Sequence, residues 1–249
     1  MKTFVAELHV HTVLSPCADV EMIPPLIVRA ALDAGLDLIA ITDHNASANI
    51  AAVQQAARGA RLSVLPGMEV QTREEVHVLC VFDTPTQIEA WQQIVDAHLP
   101  ALDNDIAHFG EQFVVDAEGD FVRRETRRLI VSTSLSLEET VGHVNAIGGL
   151  AIPAHVDRKA FGLIENLGFV PPDLPIAALE VSRHLSPLDA VKKFPQLKGY
   201  PLVQGGDAHR LDELLGANVF ELAAPTVAEL KMALARTQRR SFAYRVAAS

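Results

Sequence analysis

The chain has few cysteines, fewer basic than acidic residues and no long apolar run, and each of these properties excludes or disfavours a class of function. Cysteine occurs twice, as Cys17 and Cys80, which excludes a disulfide framework and a four-cysteine zinc site. Basic residues are outnumbered by acidic ones, 21 to 31, and the net charge is −10. This balance argues against a broad surface for nucleic acid or an acidic membrane, which needs clustered Lys and Arg, although a local basic pocket stays open. No apolar run approaches the about 20 residues of a membrane helix.

The remaining bulk properties favour one large domain. The chain has 249 residues, of which 49% are hydrophobic, and α/β barrels routinely have this length. Residues 1–6 lead directly into a histidine motif, so we expect no signal peptide and a cytoplasmic protein without a membrane anchor. The acidic excess also suits a protein that binds several divalent cations, because these would offset part of the charge.

Strand-like apolar runs alternate with amphipathic helical segments along most of the chain. Strands are predicted at 4–10, 36–42, 62–66, 76–82, 150–153, 177–181 and 202–204, and helices at 23–34, 49–58, 86–97, 136–146 and from 226 onward. This alternation is typical of a parallel α/β sheet, open or closed into a barrel. Residues 98–134 break the rhythm with a hairpin signal around Gly119, followed by Arg123, Arg124, Arg127 and Arg128. We interpret 98–134 as an excursion or lid within one domain; a solvated surface is the alternative for its arginines.

Potential metal ligands stand at one end of these predicted strands. His9 and His11 alternate along the first strand and therefore share a face. Asp43, His44, Glu69, His77, His155, Asp207 and His209 lie at or just beyond later strands. In parallel α/β folds the carboxyl ends of the strands carry the active site, so we expect these groups to meet. Imidazoles and carboxylates are too costly to bury together without cations, and mixed N/O ligation suits Zn, Mn or Fe.

The combined motifs resemble those of the PHP (polymerase and histidinol phosphatase) family. They are His9-Val10-His11, Thr42-Asp43-His44, Gly67-Met68-Glu69 followed by His77, His155, and Asp207-Ala208-His209. The resemblance extends from residue 4 to about 220 and implies that 1–249 forms a single distorted (β/α)7, TIM-like barrel with a trinuclear centre that hydrolyses phosphoesters. It implies one metal held by His9, His11, Glu69 and Asp207, a second held by Glu69, His77 and His155, and a third that His44 and His209 help to hold.

The sequence departs from the family pattern at one position. Family members commonly carry Asp or His five residues after the second histidine of the first motif, where this chain has Pro16. Asp19 is the favoured replacement after a slightly longer loop, and Cys17 is the second candidate, with a buried inert thiol as its alternative role. Asp43 either orients an imidazole or caps a helix.

Basic residues near the strand ends are candidates for binding the substrate. Arg158 and Arg183 are the first candidates for the phosphate oxygens, ahead of Lys159 and Arg210, and surface ion pairing is the alternative for all four. His184 could donate a proton to a leaving group or be structural. His98, His108 and His143 lie on helical stretches away from the strand ends, and we interpret them as structural.

These inferences predict a metal-dependent phosphoesterase. It would hydrolyse a phosphomonoester or phosphodiester of a small metabolite or nucleotide by metal-activated hydroxide, using two or three divalent ions (Mn, Fe or Zn). The catalytic residues would be His9, His11, Glu69, Asp207 and His209. The sequence shows no Ser/His/Asp arrangement and no Gly-rich phosphate loop, so no protein nucleophile is required. The alternatives are an exonuclease on short oligonucleotides and a non-catalytic metal-binding PHP module.

Overall fold

The computed structural model describes residues 1–245, which form a mixed α/β domain. In chain order the elements are β1 (Lys2–Val10), α1 (Pro24–Asp33), β2 (Leu38–Ile41), α2 (Ile50–Ala56), β3 (Ser63–Gln71), β4 (His77–Val81), α3 (Pro85–His98), α4 (Ile106–Phe109), β5 (Phe113–Val115), β6 (Phe121–Arg124), α5 (Leu137–Ile147), β7 (Leu150–Pro153), α6 (Leu163–Leu167), β8 (Leu179–Ser182), α7 (Pro187–Lys193), β9 (Leu202–Gly205), β10 (Asn218–Leu222), α8 (Val227–Leu234) and β11 (Ser241–Tyr244). Short 3-10 helices cover Pro195–Leu197 and Leu211–Glu213.

A curled seven-stranded sheet forms the frame, in the order β11-β10-β1-β2-β3-β4-β7. Strands β1, β2 and β3 are parallel, but β4 runs antiparallel to both β3 and β7. The reason is the short turn between Gln71 and His77, which can only join antiparallel neighbours, whereas a parallel pair needs a long crossover. The predicted distorted TIM-like α/β fold is confirmed, and the reversed β4 is one source of its distortion.

The parallel pair β8–β9 lies beside β1 and completes the curved wall. Asn218 of β10 joins it through its side chain: Asn218 Nδ2 donates to Gln204 O at 2.8 Å, and Gln204 N donates to Asn218 Oδ1 at 2.9 Å. Val10 at the end of β1 forms an isolated bridge with Ala208, just after β9. The ends of β1 and β9 therefore meet at one rim.

The central strands are buried on both faces, as the continuous apolar run at 36–42 predicts. Leu38 and Ala40 of β2 belong to one apolar cluster, while Ile39 and Ile41 belong to another that also contains Ile27 of α1. Alternate side chains thus serve opposite faces of the sheet. None of the helices within residues 1–245 has the length and apolar composition needed to cross a bilayer.

The sequence predicts the capping box of α5 and the β5–β6 hairpin correctly, the capping box of α8 in part, and strands β10 and β11 not at all. The predicted Ser136–Glu139 capping box is present at α5, and β5 and β6 form the predicted hairpin. At α8 only half of the predicted box forms, because Glu229 turns its carboxylate to Ala223 N and Arg240 instead. Strands β10 and β11 were missed: they lie outside the predicted strand–helix alternation, and both pair antiparallel.

Candidate metal centre

The motif residues meet at one rim of the sheet, although the strands that carry them run in both directions. His9 lies near the carboxyl end of β1 and His11 just beyond it; both are fully buried, and their Nε2 atoms are 3.1 Å apart. Glu69 lies within β3, and His77 opens β4. Because β4 is antiparallel to β3, the amino end of β4 lies at the rim formed by the carboxyl ends of β1 and β3. His155 follows β7 at the same rim.

Glu69 is the centre of the cluster. Its two carboxylate oxygens face five imidazoles at distances from 2.8 to 3.4 Å: His77 Nδ1 at 2.8 Å, His44 Nδ1 at 2.9 Å, His155 Nε2 at 3.2 Å, His9 Nε2 at 3.3 Å and His11 Nε2 at 3.4 Å. Asp207 Oδ1 also lies 3.1 Å from His9 Nε2 and 3.2 Å from His11 Nε2. One carboxylate surrounded by so many nitrogens has the position expected of a bridging ligand.

Three overlapping groups of donor atoms could each hold an ion, with all donors of a group within 4.8 Å of one another. They are His9/His11/Glu69/Asp207, His44/Glu69/His77 and His11/His44/His209. The first group matches the set that the family resemblance implies. In the second, His44 joins Glu69 and His77 where the resemblance implies His155, although His155 also contacts Glu69. The third group contains His44 and His209, as the resemblance implies, together with His11.

The residues present fit divalent cations. Four buried side-chain atoms that face this cluster, or belong to its ligands, have no hydrogen-bond partner: Glu69 Oε2, Asp207 Oδ1, His77 Nε2 and His155 Nδ1. Glu69 and Asp207 are also buried carboxylates, and Arg158, which pairs with Asp207, offsets only part of their charge. Buried anions and unpartnered lone pairs are costly unless a cation binds them.

The carboxylates control the protonation of this cluster. Burial disfavours a charged His9, but Glu180 and Asp207 outweigh burial and raise the pKa of the imidazole well above its usual range. Burial likewise opposes ionisation of Glu69, yet His77 and His9 hold the pKa of Glu69 well below its usual range. At His77 burial prevails over Glu69 and lowers the pKa to about 4. A neutral His77 is the form that binds a metal.

Glu180 is a functional residue that the sequence reasoning missed. Its Oε1 lies 2.9 Å from His9 Nδ1 and accepts a hydrogen bond from His155 N at 3.1 Å. With Nδ1 directed to this carboxylate, Nε2 of His9 faces Glu69 and Asp207. A signal was present in the sequence, because a glutamate between two apolar residues of a buried strand needs a partner.

Asp43 acts on His11 through Ser15. His11 Nδ1 lies 2.9 Å from Ser15 Oγ, and Ser15 Oγ donates to Asp43 Oδ1 at 2.7 Å. Asp43 also accepts from Thr12 N and Thr12 Oγ1, both at 2.7 Å. The cap of the following helix is Asn49, so of the two interpretations left open for Asp43 the structure supports orientation of an imidazole.

The structure does not bring Asp19 into the cluster. Asp19 is exposed, its carboxylate accepts from Glu21 N at 3.1 Å, and only its backbone N reaches toward the site, donating to His209 O at 2.8 Å. The turn after Pro16 directs the backbone, not the carboxylate, to the centre. Cys17 is exposed, so the predicted buried thiol is wrong; the thiol is near enough to His44 and His209 to feel their charge, but it belongs to none of the three donor groups. Desolvation raises the pKa of this thiol, but the two histidines outweigh desolvation and lower the pKa to about 6.

The candidate arginines occupy different positions. Arg158 Nη1 donates to Asp207 Oδ2 and so lies directly at the cluster. Arg183 makes no hydrogen bond to a residue of the cluster. It donates to Glu213 Oε1 at 2.8 Å and to Gly206 O at 3.2 Å. Arg210 pairs with the same Glu213 at 2.8 Å. The exposed residues Lys159, His108, His143 and His184 and the half-buried His98 take part in none of the donor groups.

Comparison with solved structures shows the same fold at low sequence identity. The lesion-specific endonuclease Q of Pyrococcus furiosus is 20% identical, with a TM-score of 0.73 over 97% of this chain. Endonuclease Q bound to a 27-mer duplex with an abasic lesion is 18% identical, with a TM-score of 0.70 over 96%. This chain spans only 58% of the length of either endonuclease Q chain.

A third structure is closer in size. A protein of Bifidobacterium adolescentis, named for an inferred metal-dependent phosphoesterase activity, is 19% identical, with a TM-score of 0.53 over 82% of this chain and 87% of its own. No curated protein matches the chain. The family model described as PHP domain matches residues 7–157, which include His9, His11, Glu69, His77 and His155. The family match and the donor set are those of a metal-dependent hydrolase. The chain belongs to the PHP domain family.

Proposed function

We propose that the protein hydrolyses phosphoesters of a small metabolite or nucleotide with two or three divalent ions, Mn, Fe or Zn. The observation that carries the proposal is Glu69, buried between five imidazoles and accompanied by Asp207. His9, His11, Glu69 and Asp207 would hold one ion, Glu69 with His77, His44 and His155 a second, and His11, His44 and His209 a third, with Cys17 as a further candidate ligand there. Bound ions would supply Lewis-acid polarisation of the phosphate oxygens and an activated water.

The protein's own groups orient the ligands and the substrate. Glu180 keeps the proton of His9 on Nδ1, so that Nε2 is free to act as a ligand. Arg158 lies beside Asp207 and presents a guanidinium to an incoming phosphate, two oxygens of which can accept its parallel N–H bonds. His209 has the more open side chain of the cluster, 22% exposed, and its Nδ1 contacts Asp207 O at 2.9 Å. Because the Asp207 carbonyl accepts from Nδ1, the Nε2 atom either binds the third ion or, when no ion binds there, carries a proton for the departing alkoxide.

Charge distribution favours a small substrate over a long nucleic acid. Three of the four arginines of the excursion are paired with acids, namely Arg124 with Glu111, Arg123 with Glu125, and Arg127 with Asp96, while Arg128 packs over the ring of Phe109. A track for a phosphodiester backbone needs cations that are free to replace its counterions. The exonuclease alternative has support from the fold shared with endonuclease Q, whose solved complex holds duplex DNA. Strong dependence of turnover on salt would favour that alternative.

A substrate screen combined with ligand variants tests the proposal. Phosphorylated metabolites, dinucleotides and 3′,5′-bisphosphonucleotides would be offered to metal-stripped protein with Mn²⁺, Fe²⁺ or Zn²⁺ added back separately. His9→Ala and Asp207→Ala should abolish turnover while circular dichroism shows a retained fold, whereas the surface control His143→Ala should leave turnover unchanged. Undiminished turnover in both ligand variants would refute the proposal. Absence of turnover for all substrates in the metal-loaded wild type would favour a non-catalytic module.

A further inference from the structure

The imidazole of His77 lacks the second hydrogen bond that orients His9. In His9, Nε2 faces the other candidate ligands while Nδ1 lies 2.9 Å from the carboxylate of Glu180. In His77, Nδ1 lies 2.8 Å from Glu69, which is itself a candidate ligand, and the buried Nε2 has no hydrogen-bond partner within residues 1–245. A ligand imidazole is usually oriented by an acceptor for its second nitrogen. The plane of the His77 ring therefore depends on another kind of contact.

The aromatic ring of Phe161 covers one face of this imidazole. The two rings are nearly parallel, at an angle of 6°, and their centroids are 4.5 Å apart. The rings of His44 and His155 meet His77 nearly edge-on, at 65° and 63°, with centroids 5.4 and 5.2 Å away. Stacked rings at this separation attract each other, so rotation of either ring out of the stack is opposed. Phe161 thus supplies the orientation that His77 does not obtain from an acceptor.

The backbone of Phe161 is joined to the same residue that its ring covers. Phe161 O accepts a hydrogen bond from His77 N at 3.1 Å, at the start of β4. Phe161 also has a φ of 58°, in the left-handed region that bulky residues rarely adopt. Strain of this kind persists only where the surrounding structure holds it, and it is concentrated at functional sites. The strained backbone of Phe161 therefore indicates that the position of its ring matters.

The turn that carries Phe161 begins at another candidate ligand, His155. Residues 155–162 form a compact segment between β7 and α6, and His155 opens it with a φ of 28°. The segment closes tightly at Gly162, where a Cβ would lie 2.1 Å from Arg158 O. One close-packed turn therefore carries His155 and the ring that covers His77, and both histidines contact Glu69.

We propose that Phe161 is a positioning residue for the second ion, the one assigned to Glu69, His77, His44 and His155. Stacking of its ring fixes the plane of His77 in place of the acceptor that His9 has in Glu180. The consequence for binding rests on the proposed metal-dependent function, but the stacking contact itself does not require an ion.

Two variants that both lack the ring but differ in backbone strain test this role. Phe161→Ala keeps the strain at positive φ, whereas Phe161→Gly relieves it, so the glycine variant should have the higher Tm. Both should bind the second ion about 3- to 10-fold more weakly than the wild type, which is the range for loss of a stacked ring pair. Competition against a chelating fluorescent indicator measures this affinity, and Phe161→Tyr, which retains the ring, should restore it. Affinity that follows Tm, or a loss below about threefold in both variants, would refute the positioning role.

Cadmium-113 NMR identifies which ion is affected. Each bound Cd²⁺ gives its own resonance, and the resonance that His77→Gln removes belongs to the second ion. Phe161→Ala should shift or broaden that resonance and leave the resonance of the ion between His9, His11 and Asp207 in place. Phe169→Ala is the matched control, because Phe169 is an aromatic residue on the surface beyond α6, 55% exposed. Equal changes in all resonances, or equal effects of the two alanine variants, would overturn the proposal.

These measurements separate the positioning role from the proposed function, because neither needs turnover. If the wild type hydrolyses no phosphoester but Phe161→Ala selectively weakens the second ion, the function fails and the positioning role stands. If phosphoesters are hydrolysed and Phe161→Ala binds every ion as the wild type does, the function stands and the positioning role is wrong. A wild type that binds no divalent ion would overturn both.

Discussion

Replacing Glu180 by Gln tests how the protein prepares His9 to bind a metal. The substitution keeps the size of the side chain and an oxygen that can accept from His9 Nδ1, and it removes the negative charge. That charge acts at short range, because the 2.9 Å contact joins two fully buried side chains. It makes Nε2 of His9 a stronger donor toward the ion shared with Glu69 and Asp207.

The expected effect is a 10- to 100-fold loss of metal affinity, or about 1.4–2.7 kcal/mol of binding free energy. Competition against a chelating fluorescent indicator measures the affinity of each ion directly, without a substrate. The control is Glu221→Gln on β10, because Glu221 contacts the hydroxyl of Thr3 and no ligand of the cluster. Affinity of Glu180→Gln within twofold of the wild type would show that Glu180 does not tune His9.

Two other changes test the surroundings of the centre. Cys17→Ser should weaken one ion and spare the others, since the thiol lies near His44 and His209 of the third donor group, and elemental analysis after dialysis measures the loss. Cobalt-loaded wild type should also show a thiolate-to-metal absorption band, and its absence there would exclude Cys17 as a ligand. Gly205→Ala should destabilise the fold by about 1–3 kcal/mol, because a Cβ there would lie 2.2 Å from Glu180 Oε2. Gly142→Ala, in open space on α5, should raise Tm instead, and equal shifts for the two glycines would contradict the packing argument.

A further buried carboxyl group, that of Glu7, links the cluster to its surroundings. Glu7 is fully buried behind His9, and burial together with the neighbouring Glu180 raises the pKa of Glu7 to about 7. Glu7 Oε2 accepts from Gly206 N at 3.1 Å and so ties β1 to the backbone that precedes Asp207. Glu7 therefore fixes the strand ends behind the ligands chiefly through its hydrogen bonds.

Residues 98–134, the excursion, lie next to the site although they contain none of the metal-binding motifs. Asn45, next to His44, donates from Nδ2 to Leu129 O at 2.8 Å and to Val131 O at 2.9 Å. Asn49 holds β5 in the same manner. Two buried asparagines therefore attach 98–134 to the loops that carry the histidines. We propose that this segment is a fixed wall of the site, in place of the lid or solvated surface considered from the sequence.

The sequence by itself determined the fold class and the main donor set. The alternation of apolar strands and helices specifies an α/β sheet, because burial of both faces needs these periodicities. The position of histidines and carboxylates at strand ends specifies a shared rim, because such strands align their ends. His9, His11, Glu69 and Asp207 are thus readable from local pattern, whereas His77 reaches the rim only because β4 runs antiparallel to its neighbours.

Only the tertiary structure shows which side chains contact and orient the candidate ligands. Nothing local in the sequence pairs Glu180 with His9, 171 residues away, or shows that Ser15 stands between His11 and Asp43. The choice between Asp19 and Cys17 depended on the turn after Pro16, which leaves both residues exposed but places only Cys17 near His44 and His209. Periodicity specifies which face a side chain takes, whereas the groups it meets there depend on how distant strands pack, and that packing is a property of the whole chain.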